Sequence, residues 1–389
     1  MDLFDKDEHF AHLVPLKALR DALLRNAIAA VAAKQLGRVK GVKPFIKQCQ
    51  KPAHMEIIED GSQIDWFYKA ANYYDKAIAF SRTYLAALSG SLIRPNTPDA
   101  PSSPSIANSD DLLVAVSIFS LYESLDNMEM GMMGWFQYVN PVNWLTLMLT
   151  LRTRHLTGLK SLLTAVSANE QEQFQLIPSI TVGRRASFWN FARADYQSAY
   201  INRQKTLLDT ADLQMWRNCG LQVQADGSLY AEPTTIKNDP LNCRELAQLV
   251  SHTILWLVLR VTNFLASNSD QTPSVRHGIW EQLTTQLDTW FGNLPETFRP
   301  CAQIRYPLQM RSHRGGTSQL TEVFFSINQC AAAIQLYHFV RILLLLNKPS
   351  PAGTGVTSRL KAYREISAEA IKHAREIVGI ALGLSLIHI

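Results

Sequence analysis

Trp66–Leu85 reads WFYKAANYYDKAIAFSRTYL, and Ser187–Leu208 reads SFWNFARADYQSAYINRQKTLL. Each stretch combines an apolar face at helical spacing with fixed aromatic positions, and the first opens on the cluster Trp66, Phe67, Tyr73 and Tyr74. A third stretch, Leu112–Leu125, is apolar nearly all round, which places it at the centre of a bundle. No sustained alternation of period two is found, and no self-similar repeat of the 34-residue kind. The fold class is therefore all-α: a large, non-repeating helical bundle over 1–389, built as a single domain or as two packed sub-bundles.

Working outward, Pro15 suits the first turn of an opening helix, where a missing N–H costs nothing. Leu16, Leu19, Leu23, Ala27, Ala30 and Val31 follow at helical spacing, and Gly37 supplies the stop. Ser62, with Asp65 three residues later, has the form of a capping box for a second helix that runs to about Leu88. Pro95, Pro98, Pro101 and Pro104 make 94–110 a loop inside the fold, and Asp110 or Asp111 starts the helix 112–125. Further helices are predicted near 155–167, 187–208, 242–267, 275–292, 318–346 and 358–382, with loops near 222–240, 268–274, 293–317 and 347–357.

The composition fits a large interior. Of 389 residues, 47% are apolar and 18% charged, against about 25% charged in ordinary globular chains. The formal charge of +5 resides in one segment: Lys34, Arg38, Lys40, Lys43, Lys47 and Lys51 have no acid between them, and the remainder is close to neutral. A broad nucleic-acid surface spreads its cations more widely. The segment reads as a solvated loop after a helix, with a nuclear-import or phosphate-contacting patch as the other reading. The N-terminus (MDLFDKDEHF) lacks the apolar core of a signal peptide. Val250–Ala266 and Ala331–Leu346 are interrupted by polar residues and read as buried helices, so no membrane role is expected. Cys49, Cys219, Cys243, Cys301 and Cys330 are widely spaced with no Cys-x-x-Cys pair, which argues for reduced, mostly buried thiols over a zinc site.

Candidate sites are few. Arg184-Arg185-Ala186-Ser187 fits a basophilic kinase motif, and phosphate on Ser187 would lie at a helix N-terminus; the alternative is that Ser187 caps the helix and packs beside Phe188 and Trp189. Asp195 needs a partner if buried, and Arg193 and Arg203 are nearby in sequence for an ion pair or for ligand recognition. The aromatics from Trp66 to Trp216 form core or line an effector pocket. No Gly-x-Ser-x-Gly, phosphate-binding Gly-rich loop or His-Glu-x-x-His occurs. Gly315-Gly316, after Arg311 and Arg314, reads as a loop, and Asp110-Asp111 lacks the further carboxylate of an Asp-rich magnesium motif. No catalytic, cofactor-binding or metal residue is assigned, and an enzyme is not expected.

Taken in order, several segments resemble the regulatory domain of fungal zinc-cluster transcription factors. Leu23–Gly41 (LLRNAIAAVAAKQLGRVKG) resembles its opening helix, Trp66–Leu85 the next, and Leu112–Asp126 (LLVAVSIFSLYESLD) its buried central helix with the recurrent Leu-Tyr-Glu. His155–Leu163 (HLTGLKSLL) resembles the His-x-x-Gly-x-x-x-Leu stretch, and Ser187–Leu208 the aromatic helix after it. Trp280–Pro300 resembles the late helix ending in Leu-Pro-x-x-Phe, and Ile334–Asn347 and Ala374–Gly383 the C-terminal helices.

Three departures accompany the resemblance. The family's six-cysteine, two-zinc cluster is missing, so zinc and DNA binding belong to the family's upstream module and to no residue here. Arg152 stands where the family has Trp before its His, the Trp suited to that role, Trp135, lies 20 residues before His155, and Phe136–Arg154, with Pro141, reads as an insertion (an unspliced intron or a lineage-specific loop). The family domain continues past Gly383, whereas Leu384–Ile389 (LSLIHI) reads as a foreign tail on a truncated domain. The resemblance implies a nuclear regulator of RNA polymerase II transcription, with co-regulators, a small-molecule effector and a second copy of the chain as partners. The alternative is a helical interaction scaffold or co-regulator with no DNA binding of its own.

Overall fold

Helices form where the apolar periodicity places them, but several begin and end at different residues from those expected. The computed structural model describes residues 1–41, 65–88, 106–133, 181–224, 226–229, 243–267, 272–306, 320–349 and 356–387. Among them are ten α-helices and one antiparallel hairpin, in two compact units. The all-α, non-repeating reading holds.

The first unit comprises Met1–Asp2 and Asp7–Phe191. It contains α1 (His9–Ala18), α2 (Ala22–Gly41), α3 (Trp66–Leu88), α4 (Ile106–Met133) and the start of α5 (Val182–Asn202). The single opening helix expected from Pro15 to Gly37 is two helices. Pro15 lies inside α1, and the chain restarts where the Asp21 carboxylate accepts the Leu24 N–H at 3.0 Å, a helix cap. The other Asp21 oxygen accepts the Tyr84 hydroxyl at 2.6 Å, tying the start of α2 to the end of α3. Burial, and then this bond to a carboxylate, push the Tyr84 phenol well above its ordinary pKa.

Gly37 is not a stop either. It lies within α2, where the Phe67 ring comes within 3.1 Å of the place a Cβ would occupy. Close approach of the two helices is what glycine permits here. Alanines do the same along the seam: Ala30, Ala33 and Ala70 pack with Tyr122, and Ala27 and Ala77 with Leu23, Leu112, Ile118 and Phe119. Tyr74 stacks on Tyr122 with centroids 4.3 Å apart and meets Phe119 edge-on.

Two further starts differ. α3 begins at Trp66, and Asp65 caps it by accepting the Tyr68 N–H at 2.9 Å; Ser62 lies outside the described residues. The helix expected at 112–125 begins at Ile106, inside the expected loop, because Asp110 and Asp111 do not cap it. Asp110 instead accepts Arg184 Nε at 2.7 Å and the Thr181 hydroxyl at 2.6 Å, while Asp111 pairs with Lys17 at 2.6 Å. Lys34 departs furthest from its expected solvated loop. It is fully buried in α2, its Nζ donating to the Tyr122 carbonyl at 3.0 Å and lying 3.6 Å from the Tyr122 ring centroid.

The second unit comprises Leu3–Lys6 and Ala192–Ile389. After the end of α5 come α6 (Leu213–Asn218), α7 (Cys243–Ala266), α8 (Pro273–Gly292), β1 (Ala302–Tyr306), β2 (Leu320–Phe324), α9 (Asn328–Leu346) and α10 (Val356–Ile387). The α7 helix is the core, with Ile254–Leu259 all buried. Trp290 of α8 donates to its Val250 carbonyl at 3.0 Å, and Trp280 donates to Leu344 of α9 at 2.9 Å. By length and composition α7 and α9 could each cross a bilayer, yet 67% and 56% of their apolar windows are buried inside the protein.

The expected loop at 293–317 and the expected start of a helix at 318 hide a hairpin. β1 and β2 pair antiparallel with Ile304 opposite Glu322, and α9 begins only at Asn328. Neither strand alternates visibly, because β1 is exposed at Ala302 to Arg305 on both faces. β2 instead lies against α10, where Gly379 and Gly383 admit the carbonyl oxygens of Thr321 and Val323.

Candidate functional site

Helical spacing aligns Arg193, Tyr196, Gln197, Tyr200 and Ile201 on one face of α5, and Ala332, Gln335, Leu336 and Phe339 on one face of α9. Between these faces lies a cleft of about 420 Å³, closed by Ile377 of α10 and by Leu3 and Phe4. Its walls are tied together. Gln335 Nε2 donates to the Ile377 carbonyl at 3.1 Å, and Tyr200 meets Phe339 edge-to-face at 5.2 Å.

The N-terminal segment is seated by α7. Gln248 Oε1 accepts the Lys6 N–H at 2.8 Å, and His252 Nε2 donates to the Phe4 carbonyl at 2.9 Å. A carbonyl can only accept, so His252 carries its proton on Nε2. Phe4 is thereby buried to 5% exposure.

Arg193 is the one charged side chain among the described residues lining the cleft. Burial pulls its pKa below the ordinary arginine value, and Tyr196 opposes the shift. The ion pair expected between Asp195 and Arg193 or Arg203 is not formed among the described residues. Asp195 is buried and turned the other way, accepting the Leu207 N–H at 2.9 Å and the Leu208 N–H at 2.8 Å. This also ends α5 early: Arg203 adopts φ 54° and the chain folds back, so the helix expected at 187–208 stops at Asn202.

Ser187 does not cap the helix. α5 starts at Val182, the Thr181 hydroxyl accepts the Arg184 N–H at 3.3 Å, and Ser187 is fully buried within the second turn. The preceding arginines are engaged structurally: Arg184 with Asp110, and Arg185 with Asp7 at 3.6 Å. The described aromatics take both roles considered for them, and Phe67, Tyr68 and Phe80 take neither, being exposed. Trp66, Tyr73, Tyr74, Trp189 and Trp216 pack in cores, whereas Tyr196 and Tyr200 line the cleft.

A second cleft, of about 490 Å³, is lined by Phe291, Phe298, Arg299, His338, His373 and Glu376, among others. His338 Nδ1 and His373 Nδ1 lie 2.8 Å apart, so one donates to the other and both rings cannot be protonated together. Burial first, then His373 and Arg341, push His338 down to about 4, and burial also lowers His373. A folded pKa below the unfolded value of 6.5 makes the unfolded chain the stronger proton binder between those values. The contribution is complete above 6.5 and is lost as pH falls toward 4. Acidification from pH 7 to pH 5 is expected to cost about 2 kcal/mol from this pair. Urea unfolding of the native chain and of His338→Gln at both pH values checks this, with the variant showing the flatter pH dependence.

Sequence reasoning missed the His pair, since His338 and His373 are 35 positions apart, and it missed the cleft for the same reason. Among the described residues no three His, Cys, Asp or Glu side chains group as metal ligands. Cys219 and Cys330 are pushed by burial up to about 12, which keeps them as thiols. The described donor set does not fit a zinc cluster. The expected helix at 155–167, the insertion 136–154, Cys49, Gly315-Gly316 and most of the basic segment lie outside the described residues.

No family model matches the chain, and no solved structure matches it. The chain is similar to the transcription activator AMTR1 of Alternaria alternata, with 27% identity over 428 residues covering 98% of this chain and 54% of AMTR1. It thus spans about half the length of this curated relative, itself a fungal transcription activator.

Proposed function

We propose that this chain is the regulatory region of a fungal zinc-cluster transcription factor, acting in the nucleus on RNA polymerase II transcription. The observation that carries this reading is the similarity to a transcription activator through nearly the whole chain. The all-helical fold and the ordered family-like segments support it. A six-cysteine module outside these residues reads DNA and holds the zinc, and the chain itself needs no cofactor and catalyses no reaction. It silences or releases the activator through co-regulators, a small-molecule effector and pairing with a second copy. The physical basis is a helical packing with two states for which an effector has unequal affinity.

A second reading, a helical interaction scaffold without DNA binding, is favoured by one observation. α10 exposes Leu360, Tyr363, Ile371 and Val378, apolar side chains suited to a protein partner. The two readings separate in a reporter assay. Fused to an unrelated DNA-binding domain, a regulatory region changes transcription from that domain's sites, and an inert scaffold leaves it unchanged.

A further inference from the structure

We propose that the cleft between α5 and α9 binds an amphipathic carboxylic acid, its head on Arg193 and its aliphatic or aromatic body along Phe4, Ile201, Leu336 and Phe339. Its role as the effector rests on the regulatory reading above; its binding does not.

Four observations carry the inference. First, a half-buried guanidinium such as that of Arg193 is costly unless an opposite charge faces it. Among the described residues Arg193 has no such carboxylate: Asp195, its sequence neighbour but one, spends both oxygens on the Leu207 and Leu208 N–H groups. Compare Arg184, nine residues earlier on the same helix, which has Asp110 at 2.7 Å. Folded proteins keep such local costs chiefly at functional sites.

Second, the planar fork of arginine matches a carboxylate with two parallel hydrogen bonds. Among the described residues no second cation lines the cleft, which favours a single negative charge over the dianionic phosphate group. Third, among the described residues the remaining lining is aliphatic and aromatic apart from Gln197, Gln335 and the two tyrosine hydroxyls, and Gln335 already donates to Ile377. Fourth, about 420 Å³ lies within the range of about 300–1,000 Å³ that encloses small organic ligands. A ligand there touches α5, α9, α10 and the N-terminal segment together, and so biases how those four elements pack.

The test uses the purified chain and two acids, decanoate and naphthylacetate, each titrated calorimetrically against its own neutral amide. At least one acid is expected to bind about tenfold or more tightly than its amide. Arg193→Met is expected to abolish that preference while the ligand-free variant unfolds at a higher temperature than the native chain, because a desolvated charge has been removed. Ala332→Trp, which fills the cleft and leaves Arg193 in place, is expected to abolish binding of acid and amide alike. Saturable binding of neither acid, equal binding of acid and amide, or unchanged acid affinity in Arg193→Met overturns the site. Arg193-dependent acid binding with no effect on the reporter overturns the effector role and leaves the site standing.

Discussion

Replacing Gly379 by valine is expected to unseat α10 and to destabilise the second unit by about 3 kcal/mol. A Cβ at this position collides with the Thr321 carbonyl oxygen of β2. The obstacle is main chain, held by the β1–β2 ladder, so no rotamer change relieves it. Gly383, one turn later, meets the Val323 carbonyl in the same way, so the helix cannot slide to a better register. Gly278, exposed in α8 with nothing within 4 Å of its missing Cβ, is the matched control. Gly278→Ala is expected to stabilise by about 0.5–1 kcal/mol through helix propensity alone. Urea titrations followed by circular dichroism check both signs.

Asp110→Ala is expected to cost the first unit about 3 kcal/mol or more. Its carboxylate accepts both Arg184 Nε and the Thr181 hydroxyl, with the side chains of both Asp110 and Arg184 only 9% exposed. Removing the acid withdraws the counter-charge from a guanidinium that water reaches poorly. The double variant Asp110→Leu with Arg184→Met is expected to recover most of the loss, since an apolar pair of similar volume avoids desolvating two ions. An exposed pair behaves differently: breaking Lys372–Glu369 is expected to leave stability almost unchanged, since solvent screens both charges. Denaturation of the single and double variants closes the cycle.

These two sites also show where a sequence can and cannot be read. The apolar periodicity located α7 and α8 to within a few residues, the end of α9 and the start of α10, but it began α9 ten residues early, ahead of β2, and ended α10 five residues short. Asp110 looked like a residue that starts a helix, yet a distant arginine claims it, whereas Asp21 gave no such signal and caps α2, and Asp65, read as the third residue of a capping box, is itself the cap of α3. Gly37 looked like a stop and is a contact point for Phe67, and Gly379 gave no signal at all until β2 was seen beside it. The hairpin escaped notice because its strands owe their place to pairing and to the glycines of α10. Lys34, grouped by sequence with solvated cations, is buried over Tyr122.

The cleft was half legible. Arg193 drew attention beside Asp195, but as partners; the sequence held no hint that Asp195 would fold the chain back on itself and leave the arginine to α9. What brings Tyr200 to Phe339 or Phe4 to His252 is tertiary packing over more than a hundred positions.

The most direct test of the account is transcription itself. The whole chain, fused to an unrelated DNA-binding domain and expressed in the nucleus of a fungal host, is expected to change output from a reporter carrying that domain's sites. The Gly379→Val fusion, at equal nuclear abundance, is expected to lose the effect because its second unit is unseated. A native fusion that is present in the nucleus and leaves the reporter unchanged would contradict the regulatory reading and return the chain to the scaffold class.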